Sequence, residues 1–351
     1  MAALVRPEIQ ALTAYAVAKA VGLIKLDAME NPYSLPEPLR LRIAAAVAEV
    51  PVNRYPDGAA EALKAALRTT YGIDARCAVL LGNGSDEIIQ IVTSALARPG
   101  AAMLAPEPTF VMYRMNALYA GMRFIAVPLR HDFSLDLEAM LAAIEREQPA
   151  LIFLAYPNNP TGNLFESAAI DRILAAAPGL VVVDEAYHAF AEASFLPRLV
   201  TSPNLLVLRT VSKIGMAGLR LGYAVAAPAW IAQFEKVRQP YNLNALTQAV
   251  APILLGESAL LAAQAGEIRT ERTRLERALA ALPGVTVYRS RANFVLARVP
   301  DAPQWFAALK DGGILVKNLH GAHDLLAHCL RITVGTPQEN NAVLSVLESL
   351  S

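Results

Sequence analysis

Lys213 stands between an apolar run and a loop of small residues, in Thr210-Val-Ser-Lys-Ile-Gly-Met-Ala-Gly-Leu-Arg220. Desolvation and neighbouring cations lower a lysine's pKa and make its amine nucleophilic. An exposed loop lysine would also fit this position. Arg220 ends the segment with a forked guanidinium suited to a phosphate. Upstream, Val181-Val-Val-Asp-Glu-Ala-Tyr187 puts Asp184 at the end of an all-apolar run. A carboxylate there is costly unless it meets a cation. A protonated pyridine nitrogen would be such a cation, and Tyr187 could reach the same ligand. An Asp that caps the next helix is the other reading.

Two further segments have the same character. Tyr156-Pro-Asn-Asn-Pro-Thr-Gly162 follows an apolar run; its prolines make a rigid loop, and its Asn amides both donate and accept. Gly82-Asn-Gly-Ser-Asp-Glu87 joins an apolar run to a helical pattern. Its glycines permit a tight turn and close approach to a ligand. The free N–H groups of a helix start suit a phosphate. Ser85 could add a hydroxyl to that site, or could simply cap the helix. Each segment alone has an ordinary structural explanation; their order and spacing together describe one site.

The elements that must hold these segments alternate. Apolar, β-rich runs at 78–81, 102–105, 123–127, 151–155, 180–184 and 205–210 are separated by helical patterns such as 85–97 and 166–177. Strands too apolar to be half-exposed predict an α/β fold, a mostly parallel central sheet flanked by helices. Sites in such sheets form beyond the C-terminal strand ends, where the four segments lie. A helix is predicted over 39–49, and a long helical region over 246–282. Strands at 285–288, 294–298 and 329–334 predict a smaller α+β C-terminal domain. The expected division is an irregular N-terminal arm (1–35), a large domain (36–250) and a small domain (251–351). The run Glu267-Ile-Arg-Thr-Glu-Arg-Thr-Arg-Leu-Glu-Arg277 alternates acid and base, which predicts a solvated helix face rather than a nucleic-acid contact.

Bulk properties narrow the function. A length of 351 residues favours two domains, and 55% hydrophobic content supplies a large core. Thirty-one basic and 31 acidic residues cancel, which argues against a nucleic-acid partner and leaves self-association unopposed. Cys77 and Cys329 are too few and too far apart for a disulfide framework or a metal cluster, so both are expected buried and reduced, with no metal. Neither a signal segment nor a membrane-spanning apolar run stands out, so a soluble, cytoplasmic protein is expected.

On these segments the chain resembles the class I/II aminotransferases of the aspartate-aminotransferase fold, and within them the histidinol-phosphate aminotransferase family. The resemblance runs over nearly the whole chain. It rests also on Asn53-Arg-Tyr-Pro-Asp57, Pro106-Glu-Pro-Thr-Phe110, Ala217-Gly-Leu-Arg-Leu-Gly-Tyr223 and Leu330-Arg-Ile-Thr-Val-Gly335. It implies a fold type I transferase that uses pyridoxal 5'-phosphate (PLP) and forms a homodimer. Lys213 would carry the cofactor as a Schiff base and shuttle a proton, and Asp184 would pair with the pyridinium nitrogen. Asn158 and Tyr187 would hydrogen-bond the ring 3-oxygen, and Phe110 would stack on the ring. Ser85, Asp86, Glu87, Ser212 and Arg220 would line the phosphate site, with Tyr55 reaching that site in the neighbouring subunit.

For the substrate, the resemblance places Tyr15 as an aromatic cover, with Tyr55 and Asn158 nearby. Arg331 would grip a phosphate or carboxylate, which suits its fork. Lys317 stands where many members have a second anion-binding arginine, or is a surface lysine. The implied reaction moves an amino group between L-histidinol phosphate and imidazole-acetol phosphate, with glutamate and 2-oxoglutarate as the other pair, in histidine biosynthesis. A threonine-phosphate decarboxylase and an aromatic or broad-specificity aminotransferase share these motifs.

Overall fold

Strand β1 (Ile24–Lys25) lies apart from the central sheet, which is built by β2 (Ala78–Asn83), β3 (Ala102–Glu107), β4 (Arg123–Pro128), β5 (Leu151–Ala155), β6 (Leu180–Asp184), β7 (Leu205–Thr210) and β8 (Leu221–Ala226) in a computed structural model that describes residues 4–14 and 18–350. Their spatial order is β2-β8-β7-β6-β5-β3-β4. Strands β3 to β7 run parallel, while β8 is antiparallel to both neighbours. The reason lies in the connection. Only residues 211–220 separate β7 from β8. A parallel return needs a crossover of roughly a dozen residues or more. The chain therefore turns straight back, and that short return carries Lys213 and Arg220.

Every residue of β5, β6 and β7 is buried. Alternate residues feed two separate cores. Ile152, Val181, Val183 and Val207 face one, and Leu151, Phe153, Val182 and Leu208 face the other. Both faces are thus covered, as the uninterrupted apolar strands require.

A second, antiparallel sheet combines β9 (Thr286–Tyr288), β10 (Phe294–Arg298), β12 (Lys317–Asn318) and β13 (Cys329–Thr333) in the order β12-β13-β10-β9. Strand β11 (Ile314–Leu315) pairs in parallel with β1. The irregular N-terminal segment is thus stitched to the strands of the small domain. Leu26 accepts from the Thr333 amide at 3.0 Å, and the Met29 amide donates to Thr333 Oγ1 at 3.0 Å. Both cysteines are buried and free.

Three details differ from the sequence reading. The expected helix over 39–49 begins earlier, at Glu37, and ends at Ala48. The long helical region is two helices, Ala245–Gly256 and Ser258–Ala280, bent by 75°. The charged run on the second helix is not wholly solvated. Arg272 is only 6% exposed, and its Nη1 donates to the Ala292 carbonyl at 2.8 Å. The guanidinium fastens this helix to the chain leading into β10. Among the described residues no single helix is long and apolar enough to cross a membrane, and no cluster of His, Cys, Asp or Glu is placed to hold a metal.

Candidate active site

Lys213 lies in the short return, in the helical turn Ser212–Ile214. Its Nζ donates to the Ala28 carbonyl at 3.0 Å. Burial lowers its pKa to about 8, the charge of Arg331 acts in the same sense, and Glu30 acts against it. The lysine is thus no exposed loop residue. It borders a cavity of about 360 Å³ shared with Ser85, Asp86, Phe110, Asp184, Tyr187, Ser212 and Arg220. A larger groove of about 900 Å³ runs along the helix Ser258–Ala280, but holds none of the predicted site residues.

Asp184 closes β6 and is 5% exposed. Its Oδ2 accepts from the Tyr113 hydroxyl at 2.7 Å, and its Oδ1 from the Ala186 amide at 3.0 Å. Both donors are neutral. Burial dominates and raises the pKa to about 6, with the two hydrogen bonds pulling the other way. Asp184 does not cap the following helix, His188–Ala191, whose N-terminus has no side-chain cap. A buried carboxylate on a cavity wall, bonded only by neutral donors, suits a cationic ring nitrogen.

The helix Ser85–Leu96 opens onto the same cavity. Gly84 is its N-cap and no side chain caps it, so Ser85 is the first helical residue rather than a cap. Two glycines let three pieces of chain converge here. A Cβ on Gly222 would collide with the Ser85 amide nitrogen, and one on Gly84, at φ +86°, would sit 2.5 Å from Arg220 Nη2. Arg220 itself adopts a left-handed φ of 51°. Its Nη2 lies 3.8 Å from Asp86 Oδ2. The Ser212 amide donates to Thr210 Oγ1 at 3.1 Å, which fixes the start of the return. Free amides, a hydroxyl and a guanidinium at a helix start are a cradle that could hold a phosphate.

Other predicted residues lie elsewhere. Asn158 is fully buried outside the cavity lining. Its Oδ1 accepts from Thr109 at 2.7 Å, while its Nδ2 donates to the Pro108 carbonyl and to Thr161. Glu87 is also outside the lining; its carboxylate accepts from the Asn83 amide and from Asn242, both at 2.6 Å. It holds the glycine loop rather than facing a phosphate, which a carboxylate would repel. Arg331 is joined to the cavity through a neighbour: its Nη1 donates to Asn159 Oδ1 at 2.5 Å, and its Nη2 to the Asp27 carbonyl at 2.9 Å. Lys317 is in register with Arg331 on the adjacent strand. Tyr55 is 81% exposed and stacks on Tyr241 at 4.6 Å, away from the cavity of its own chain. Tyr15 lies outside the described residues.

Sequence reasoning missed Tyr113, Asn159 and the wall Ala28-Met29-Glu30. Tyr113 had a signal, since it follows Phe110 at helical spacing; the two rings meet edge-on at 5.6 Å. The wall had none, because it reaches the cavity only through pairing with distant strands.

The residues present fit PLP. They offer an amine of lowered pKa, a buried carboxylate with neutral partners, a phosphate cradle and an aromatic wall at Phe110. The family model for class I and II aminotransferases matches residues 21–347. A histidinol-phosphate aminotransferase of Chromobacterium violaceum is 57% identical over 345 residues, covering 98% of this chain and 97% of that one. Histidinol-phosphate aminotransferase 1 of Burkholderia lata is 53% identical over 346 residues, covering 98% and 97%. The solved histidinol-phosphate aminotransferase from Sinorhizobium meliloti, in complex with pyridoxal-5'-phosphate, superposes with a TM-score of 0.86 at 26% identity and 98% coverage of both chains. A PLP-binding aminotransferase fold, a matching family model and close relatives over nearly the full length lead to one assignment: the chain belongs to the class I and II aminotransferases, enzymes that transfer amino groups with PLP as cofactor.

Proposed function

We propose that this enzyme is a histidinol-phosphate aminotransferase of histidine biosynthesis, moving an amino group between L-histidinol phosphate and 2-oxoglutarate by alternating half-reactions. The observation that carries the reading is the cavity that joins Lys213 to Asp184; the 57% identical relative of that name supports the choice of substrate.

Bound in the cavity, PLP would supply a carbonyl carbon that takes up the amino group and a ring that stabilises negative charge at the substrate Cα. Lys213 Nζ, less basic than an ordinary lysine, would take the proton from that Cα and return it one bond away. Asp184 would face the ring nitrogen, held in orientation by the Tyr113 hydroxyl. The amides of Ser85 and Asp86, with Ser212 and Arg220, would hold the cofactor phosphate, and Phe110 would cover the ring. Tyr187 would donate to the ring oxygen. Asn158 would reach that oxygen only by giving up one of its bonds to Thr109, Pro108 or Thr161. Arg331 and Lys317 would supply cations for the substrate phosphate or for carboxylates of glutamate.

Three further readings belong to this proposal. The two larger sheets support the division into an N-terminal arm (1–35), a large domain (36–250) and a small domain (251–351), although β1 pairs the arm with β11 of the small domain. A homodimer would cover the exposed Leu41, Val52, Tyr55, Tyr241 and Leu246, and would bring Tyr55 to the neighbouring phosphate cradle. We place the enzyme in the cytoplasm with small molecules as its substrates.

The test is spectroscopic. Glutamate alone, and histidinol phosphate alone, should each bleach the absorbance of the lysine-bound cofactor, and the matching oxo acid should restore it. Bleaching by neither, with carbon dioxide released from phosphothreonine, would overturn the reading.

A further inference from the structure

We propose that Glu30 is the residue that selects the substrate's ring, its carboxylate accepting a hydrogen bond from an imidazole N–H. The proposal deepens the function proposed above and rests on it.

Three carboxylates border the cavity: Glu30, Asp86 and Asp184. Two are accounted for. Asp184 is held by Tyr113 and the Ala186 amide, and Asp86 stands across from Arg220. Glu30 pairs instead with Lys25, which lies outside the cavity lining. Glu30 is at the amine end of the cavity, because Lys213 donates to Ala28, two residues before it. The substrate's amino group must arrive there. The phosphate cradle of Arg220 and Ser212 serves the cofactor from a different segment, so the region beside Ala28 and Glu30 is left for the substrate's own groups.

The wall that carries Glu30 is preorganised. Met29 adopts a left-handed φ of 55°, uncommon for a non-glycine residue. Its amide donates to Thr333 Oγ1, its carbonyl accepts from Asn293 Nδ2 at 2.9 Å, and on the far side of Glu30 the Asn31 side chain donates to Gln264 at 2.9 Å. The Glu30 side chain itself remains 45% exposed and meets Lys25 at 2.5 Å. An exposed pair of this kind contributes little to stability, so folding alone gives little reason for an acid here.

The chemistry supplies a reason. The proposed substrate carries a ring whose N–H groups are donors and whose unperturbed pKa is near 6.5. A carboxylate accepts strongly from such a ring, and more so from its protonated form. The same carboxylate repels a carboxylated phosphate such as phosphothreonine. Glutamate, which has a carboxylate in place of the ring, meets the same repulsion, so the carboxylate favours histidinol phosphate over it.

The test compares Glu30→Gln and Glu30→Leu holoenzymes with wild type. Calorimetry reads binding of an unreactive imidazolylalkyl phosphate and of an alkyl phosphate without the ring; single-turnover absorbance reads histidinol phosphate against glutamate. Glu30→Leu should weaken the ring-bearing probe about tenfold to a hundredfold, with Glu30→Gln in between and a smaller loss for the ringless probe. The preference for histidinol phosphate over glutamate should fall about tenfold or more. Unchanged melting midpoints show that the variants fold. Equal losses on ring-bearing and ringless probes, or none, overturn the role of Glu30 while leaving the function standing. A wild type that ignores histidinol phosphate overturns both readings.

Discussion

Two adjacent carboxylates at the end of β6 have opposite fates. Asp184 turns to the cavity and meets a phenol and an amide. Glu185 turns the other way, is fully buried, and takes Arg209 through Nε at 2.9 Å and Nη2 at 2.8 Å. The consequence for Asp184 is a pKa raised from 3.8 to about 6. In the cofactor-free enzyme this has a definite sign. Below about pH 4 the carboxyl is protonated folded and unfolded, and costs nothing. Between about pH 4 and 6 only the unfolded chain ionises, so stability falls as pH rises; above about pH 6 the full cost is present. Asp184→Asn keeps an acceptor for Tyr113 without the charge. The cofactor-free variant should therefore gain on wild type as pH rises from 4 to 7, by on the order of 2–3 kcal/mol, as urea unfolding at several pH values would show. Cofactor retention should weaken at the same time. Asp184 and Lys213 were legible in the sequence because polar residues at the ends of apolar runs stand out. Tyr113 was less so: its spacing from Phe110 is its one signal, and a tyrosine within a helical pattern otherwise looks like ordinary core, where it is indeed stacked on Phe153 at 4.4 Å.

The pair Glu185–Arg209 also acts between elements. Arg209 precedes Thr210 at the end of β7, and Glu185 follows β6, so the pair ties together the strand ends that carry Asp184 and the lysine return. Glu185 accepts as well from the Phe195 amide at 2.5 Å and from Ser194 at 3.0 Å. Arg209→Leu leaves a buried carboxylate without its cation and should cost about 3–5 kcal/mol in denaturant unfolding. The double variant with Glu185→Leu should cost less than the sum of the singles, which a double-mutant cycle would measure. The central strands were legible from composition, three of them to the residue: β5, β6 and β7. Strand β8 was not, because Leu-Gly-Tyr-Ala-Val-Ala reads as a continuation of the motif before it. The break between the two long helices was hidden for another reason. Both sides of Gly256 keep a helical pattern, and only packing sets the 75° bend.

For the whole molecule, the proposed dimer makes each site the work of two chains. If Tyr55 completes the neighbouring phosphate cradle, then Tyr55→Ala and Lys213→Ala should each impair the enzyme severely. Mixed, unfolded and refolded together, they should recover about a quarter of wild-type activity, because half of random dimers are mixed and each mixed dimer has one intact site. No recovery, with dimers formed normally, would place Tyr55 outside the shared site. The sequence left the N-terminal segment as an irregular arm, since a two-residue pairing with β11 nearly three hundred positions away leaves no local pattern. That pairing bears on turnover. Lys213, Asp184 and the cradle of Ser85 and Arg220 ride on the central sheet, whereas Leu26 to Glu30 are stitched to Leu315, Asn293 and Thr333. An enzyme with alternating half-reactions releases a different product in each half and keeps its cofactor through every cycle. On the proposed roles, the tenant that stays and the visitors that leave would be held largely from different sheets, so the residence time of substrates could be set without loosening the hold on the cofactor.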